Sequence, residues 1–276
     1  MATKVPLTSP LRHGVLAFLD ALGFKGIWQR AEPTAVIDKF THLLDQVRQA
    51  NLYPVAADGL NVHLQAMSLS DTVVIACSSE ADPAKFRESS QLVEEVASLI
   101  AVAHVTAGLL GGMVATRPPP LAYRGTVALG EYYLDPEVNL LLGPAIDEAA
   151  EHEKLAEGAF VWLLPSANAL LTDRARSASS EKSLAGALIR RLTTHLPVVG
   201  DYPVPLKGGV PLRTSVINPL GARRLGSDGS VQLLFDPGRV RRGFGQAFAG
   251  SRVEVQRKAQ VTTQFLDVAE GLLEQE

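Results

Sequence analysis

Residues 18–26 read FLDALGFKG and close an apolar run that begins at Val15. Asp20 therefore stands where a buried strand gives way to a glycine turn. A carboxylate leaving an apolar strand is costly unless a basic side chain, hydrogen-bond donors or a bound cation compensates it. A second carboxylate brought to the same place would point to the cation, so the order of the following elements decides how Asp20 is understood.

Working outward, VLAFLDAL (15–22) reads as a strand, and TAVIDKFTHLLDQVRQA (34–50) places Val36, Ile37, Phe40, Leu43, Leu44 and Val47 in a helical stripe. LNVHLQAMSLSDTVVIACS (60–78) splits into two apolar strands around Ser70-Asp71, a hairpin with Asp71 at its tip. A helix is expected from Pro83 to Leu110, with Phe86, Leu92, Val93, Val96 and Leu99 at helical intervals, before the PPP of 118–120 stops it. LAYRGTVALGEYYL (121–134) is a strand. GPAIDEAAEHEKLAEG (143–158) is expected to be a helix ending on Gly158, with the strand AFVWLLP behind it.

The sum is βαββαβ followed by a further αβ pair, the ferredoxin-like order of an α+β fold with an antiparallel-rich sheet flanked by helices. In it strand one lies centrally beside the hairpin, so Asp20 and Asp71 can meet although far apart in sequence. Beyond this core come a loop, TDRARSASSEKS, a short helix, LAGALIRRLTTHL, strands punctuated by proline and glycine, and a charged closing helix, VEVQRKAQVTTQFLDVAEGLLEQE. The chain is expected to divide into a core domain, 1–170, and a C-terminal extension, 171–276, packed on it.

Composition narrows the partners. The 276 residues are 46% hydrophobic with a net charge of −3, which suggests no bulk attraction to nucleic acid or to an anionic membrane. The basic cluster RVRR (239–242) is read as a solvated patch. A single cysteine, Cys77, excludes an intrachain disulfide and a multi-cysteine zinc site. The start lacks a signal-peptide apolar segment, and LIAVAHVTAGLLGGMVA (99–115) is read as a buried helix end and not a membrane span, so a cytoplasmic setting is expected. His63, His104 and His152 lack ligand spacing, GFGQAF (243–248) lacks the context of a nucleotide loop, and Lys207 reads as a turn lysine.

FLDALGF and LSDTVVIA resemble the Phe-x-Asp-hydrophobic-x-Gly-Phe motif and the Asp-bearing hairpin of class III nucleotidyl cyclases. YRGTVALG (123–130) and LLLGPAIDEAAEHEKL (140–155) are similar to that family's Arg-x-Gly strand and its following helix. The resemblance spans about residues 13–165. It implies that Asp20, the Ala21 backbone and Asp71 hold two divalent ions, Mn²⁺ or Mg²⁺, and that the backbone of Leu22, Gly23 and Phe24 meets phosphates. Hard oxygen ligands suit those ions, and two metals suit an in-line displacement at phosphorus. Asp20 is read as a ligand and not a helix N-cap because Gly23, Gly26 and Pro33 intervene before a helix can start. Phe18, Arg124, Tyr53 and Tyr123 are candidate substrate contacts. Arg124 could instead neutralise a carboxylate, and the tyrosines could be packed aromatics.

The departures are informative. Asp147 and Glu151 stand where the family has its ribose-orienting asparagine and transition-state arginine, and Met67 and Leu140 stand where it reads purines. One branch is similar in its FLDxLGF and SD motifs, its RG strand, a G-x-A-x-x-x-A helix ending in glutamate, here Glu151 or Glu153, and a C-terminal extension: the bacterial pyrimidine cyclases of the Pycsar antiphage systems. That likeness implies a homodimer converting UTP, or next CTP, to the cyclic 3′,5′-monophosphate and pyrophosphate. The product would activate a separate TIR or transmembrane effector. A silent cyclase-homology module, or a cyclase making cAMP or cGMP, are the alternatives.

Overall fold

The computed structural model describes residues 11–52, 62–79, 88–172, 186–187, 190, 196–225, 231–249 and 253–274. Alternation along its central strand sets the layers. In β1 (Arg12–Ala21) Val15, Ala17, Leu19 and Ala21 belong to one core, while Leu16 and Phe18 pack in another, because successive side chains of a strand face opposite ways. Asp20 shares the second face by the same alternation.

β1 runs antiparallel between β3 (Thr72–Ser79) and β4 (Tyr123–Asp135), and β2 (Val62–Leu69) pairs with β3. Next to β4 lies β6 (Val161–Leu163), the one parallel neighbour among the described strands, followed by β8 (Leu212–Ile217) and β7 (Val198–Val204). The order is β2-β3-β1-β4-β6-β8-β7, with β5 (Leu140–Leu142) pairing β4 off that path. A separate ribbon joins β9 (Arg223–Leu225) to β10 (Val231–Leu233). The fold is therefore α+β, with an antiparallel-rich sheet whose first four strands stand in the ferredoxin-like order.

Two long helices, α2 (Pro33–Leu52) and α3 (Glu88–Ala115), cover the face of Val15 and Leu19. A short α1 (Ile27–Arg30) precedes them. Within α3 the stretch Gln91–Ala115 is long and apolar enough to cross a membrane, yet 83% of its most apolar window is buried in the protein. The other face carries α4 (Pro144–His152), with α5 (Pro165–Asn168), α6 (Pro237–Ala247) and α7 (Val253–Leu273) elsewhere. Phe265 of α7 sets its ring against Phe160 at 5.4 Å and Tyr202 at 5.0 Å, tying the closing helix to β7 and to the residue before β6.

Three details differ from expectation. In α2, Val36 and Leu43 are buried, but Ile37 is 57% exposed and the fully buried member of the polar set is Lys39. Its ammonium donates to the Arg117 carbonyl at 2.7 Å, beyond the C-terminal end of α3, so a cation at a helix C-terminus takes a place on the inward face. Helix α4 stops at His152 and not at Gly158. The chain turns there so that Glu153 enters the interior, and Gly158 is required because a Cβ would lie 2.4 Å from the Phe160 ring. Residues 140–142, expected as the run-in to that helix, form strand β5. GFGQAF forms no nucleotide loop, in keeping with its sequence context: its residues 243–247 lie in α6, with Phe244 and Phe248 buried.

Candidate active site

Two strand ends and one turn build the site. Asp20, next to last in β1, sits in register with Thr72 of β3 and Arg124 of β4. Asp71 occupies the two-residue turn between β2 and β3, where Ser70 takes a φ of 57°. The Ala21 amide donates to the Asp71 carbonyl at 3.2 Å, which extends the β1–β3 ladder by one bond and fixes both aspartates at the same end of the sheet. Both side chains are half-buried.

The turn after Asp20 is held as tightly. Gly23 has φ 75° and ψ 15°, a left-handed conformation that glycine adopts without steric cost. Phe24 then packs edge-on against Phe40 with centroids 5.0 Å apart. The Leu22 amide donates to the Ala122 carbonyl at 2.8 Å. That bond withdraws Leu22 from the set of amides expected to meet phosphates.

Arg124 is engaged by carboxylates on both sides. Its Nη2 donates to Asp20 Oδ2 at 3.0 Å, and its Nε stands 3.4 Å from Glu153 Oε2. The guanidinium thus compensates a half-buried strand-end charge and lies between two carboxylates. Glu153, 2% exposed, is the residue that sequence reasoning left undecided between two glutamates. Its Oε2 accepts no hydrogen bond, and burial first, then the nearby Asp20 charge, raises its pKa against the opposing pull of Arg124. Only the turn that ends α4 early could have revealed it. Thr126, two residues along β4, donates its hydroxyl to the Ala149 carbonyl at 2.9 Å and anchors α4 to this face.

The remaining candidates are not all brought together. Phe18 is half-buried on the Asp20 face, in register with Val74 and Thr126. Tyr123 is fully buried in the core on the opposite face. Its hydroxyl has no hydrogen-bond partner, and burial together with the negative charges of Asp71 and Asp20 pushes its pKa up. Tyr53 lies outside the described residues. Met67 is buried, Leu140 is 40% exposed, and Asp147 and Glu151 are exposed on α4.

The donor set fits a hard divalent cation. Asp20 and Asp71 offer carboxylate oxygens, and Mg²⁺ is commonly held by one or two carboxylates with water and substrate phosphates completing the shell. Arg124 occupies only Oδ2 of Asp20. Among the described residues no group of three or more His, Cys, Asp or Glu could hold a metal, so any ion here depends on this pair.

No family model matches the chain and no curated protein matches it. Solved structures that resemble it include the adenylyl cyclase CyaB from P. aeruginosa, at 16% identity over 75% of this chain and 94% of that one, TM-score 0.42. The guanylyl cyclase Cya2 resembles it at 13% identity over 79% and 95%, TM-score 0.39. An adenylate/guanylate cyclase/hydrolase from Silicibacter pomeroyi does so at 14% over 76% and 99%, TM-score 0.38. Likeness at this level transfers no chemistry, which has to come from the residues at the end of β1.

Proposed function

We propose that this protein is a divalent-metal-dependent nucleotidyl cyclase that converts UTP, and next CTP, to the 3′,5′-cyclic monophosphate. The observation that carries this is the Ala21–Asp71 backbone bond, which sets two carboxylates of a cyclase-like sequence pattern at one sheet end. In the reaction the ribose 3′-oxygen loses its proton and bonds to the α-phosphorus, and the bond to the departing pyrophosphate breaks. Mn²⁺ or Mg²⁺ held by Asp20 and Asp71 would supply the charge that steadies attacking and leaving oxygens. Arg124 acts as a positioning residue, holding Asp20 by one oxygen, and Gly23 bends the chain so that the turn can approach phosphates.

The pyrimidine preference rests on Met67 and Leu140, neither of which has a side chain that reads the hydrogen-bonding edge of a purine. A homodimer is supported by Val138, Leu140 and Leu142, 66%, 40% and 54% exposed on and beside β5, an apolar row that a second copy would cover. The cyclic nucleotide would serve as an antiphage signal to a TIR or transmembrane effector, in the cytoplasm. The chain is proposed to divide into the cyclase domain, 1–170, and an extension, 171–276.

A second reading, a silent nucleotide-sensing or dimerisation module, is favoured by one observation: a protein cation already compensates Asp20. Incubating the purified protein with each of the four nucleoside triphosphates and Mn²⁺, beside Asp71→Ala, separates the two. Cyclic UMP or CMP identified by mass and lost in the variant supports the cyclase. Cyclic AMP or GMP alone would overturn the base preference, and no product from any substrate favours the silent module.

A further inference from the structure

The sequence RVRR does not behave as one solvated patch. Within α6, Arg241 turns to α7, where it pairs with Asp267 and with Glu270, the latter at 3.1 Å. Arg239 and Arg242, three residues apart and so on one side of the helix, face the end of α3 instead. With Arg117, Thr116, Pro118, Pro120 and Gln246 they line a cavity of about 310 Å³. Among the described residues no carboxylate forms an ion pair with the guanidinium of Arg117, Arg239 or Arg242. Asp236 at the start of α6 is occupied as the N-cap, accepting the Arg239 amide at 2.7 Å.

Three guanidiniums lining one concavity repel one another, and among the described residues no carboxylate pairs with them to relieve this. Lys39, fully buried, holds the Arg117 carbonyl at 2.7 Å and lies 3.5 Å from the Thr116 hydroxyl, so the first carbonyl group beyond this end of α3 is capped by a fourth cation. Gly243 forms the floor by close approach: a Cβ there would sit 2.2 Å from the Val114 carbonyl oxygen, so α6 and α3 touch backbone to backbone. That contact sets the backbone that carries Arg239 and Arg242 against the end of α3.

Arginines gathered at one cavity match phosphate oxygens in paired hydrogen bonds, which lysines would not. The volume lies at the small end of ligand pockets, too small for a macromolecular groove. We infer that the cavity between α3 and α6 binds a phosphorylated small molecule carrying two or more negative charges, no larger than a nucleoside phosphate. This site is separate from the Asp20–Asp71 pair, needs no metal, and holds whether or not that pair is catalytic.

The test is calorimetric titration of the full chain with inorganic pyrophosphate in excess EDTA, which removes any divalent ion from the aspartates. Arg239→Ala/Arg242→Ala and Asp71→Ala are run alongside, with circular dichroism to confirm that each is folded. Expected are saturable binding to the wild type, at least tenfold weakening in the arginine double variant, and unchanged affinity in Asp71→Ala. No binding to the wild type, equal affinity in the double variant, or loss in Asp71→Ala would each overturn the assignment. So would a single-stranded oligonucleotide displacing pyrophosphate at far lower concentration through the same arginines, since that describes an open polyanion surface.

Discussion

At the end of β1 three charges stand in a row, Asp20, Arg124 and Glu153, separated by 3.0 and 3.4 Å and with Arg124 and Glu153 buried. At the end of α3 three arginines line one cavity, exposed and without a carboxylate among the described residues. The two regions lie close along the chain, since residues 117 and 124 bracket the entry into β4. In the first, the guanidinium is compensated internally and its removal should be felt as lost stability. In the second, charge is left open and its removal should be felt only by a ligand.

The largest effect that could break this contrast is at Arg124. Arg124→Met leaves Glu153 buried beside Asp20 with no guanidinium between them, and losing one partner of a buried pair costs about 3–5 kcal/mol. Urea denaturation should show it, and pairing the change with Glu153→Leu should recover much of the loss. If Arg124→Met cost less than about 1 kcal/mol, as an exposed pair would, the compensated description of this end would be wrong.

Next in size is the floor of the cavity. Gly243→Ala drives a methyl group into the Val114 carbonyl at 2.2 Å and should lower stability by about 1–3 kcal/mol through overpacking, together with any pyrophosphate affinity. Differential scanning calorimetry checks the first part.

A subtler test uses pH. The pKa of Glu153 is raised in the folded state, so its stabilising contribution is present below the unfolded value of about 4.3 and is lost as pH rises through the raised folded value. Glu153→Gln removes that loss. Stability curves of variant and wild type should therefore converge toward acid and separate in favour of the variant toward neutral pH. The smallest change is expected in the other region, where Arg239→Ala/Arg242→Ala should shift unfolding by no more than about 0.5 kcal/mol, as for exposed surface positions.

Much of the first region could be read from the residues alone. Alternation in VLAFLDAL placed Asp20 on one strand face, and the turn signal at Ser70-Asp71 placed the second carboxylate at a hairpin tip, so strand order alone brought them to one end. Whether Arg124 met Asp20 or a substrate was not legible, because register across β4 is fixed by packing and leaves no local mark. Glu153 was hidden by the strong helix propensity of its alanine- and glutamate-rich surroundings, which the inward turn overrides. The arginine cavity was illegible for a different reason: RVRR has one sign throughout, and only the docking of α6 between α3 and α7 divides it into a residue paired with α7 and two that line the cavity.

The Ala21 amide, donated to the Asp71 carbonyl at 3.2 Å, has a consequence in time. Asp20 and Arg124 are separated by 104 residues, so the site exists only after β1 has recruited partners on both flanks, and such distant pairings come late and slowly in folding. The Ala21 proton is therefore a clock for the whole core. Its exchange with deuterated solvent should require an opening that parts β1 from β3, and if that opening is global unfolding, the protection of this one amide equals the stability of the protein.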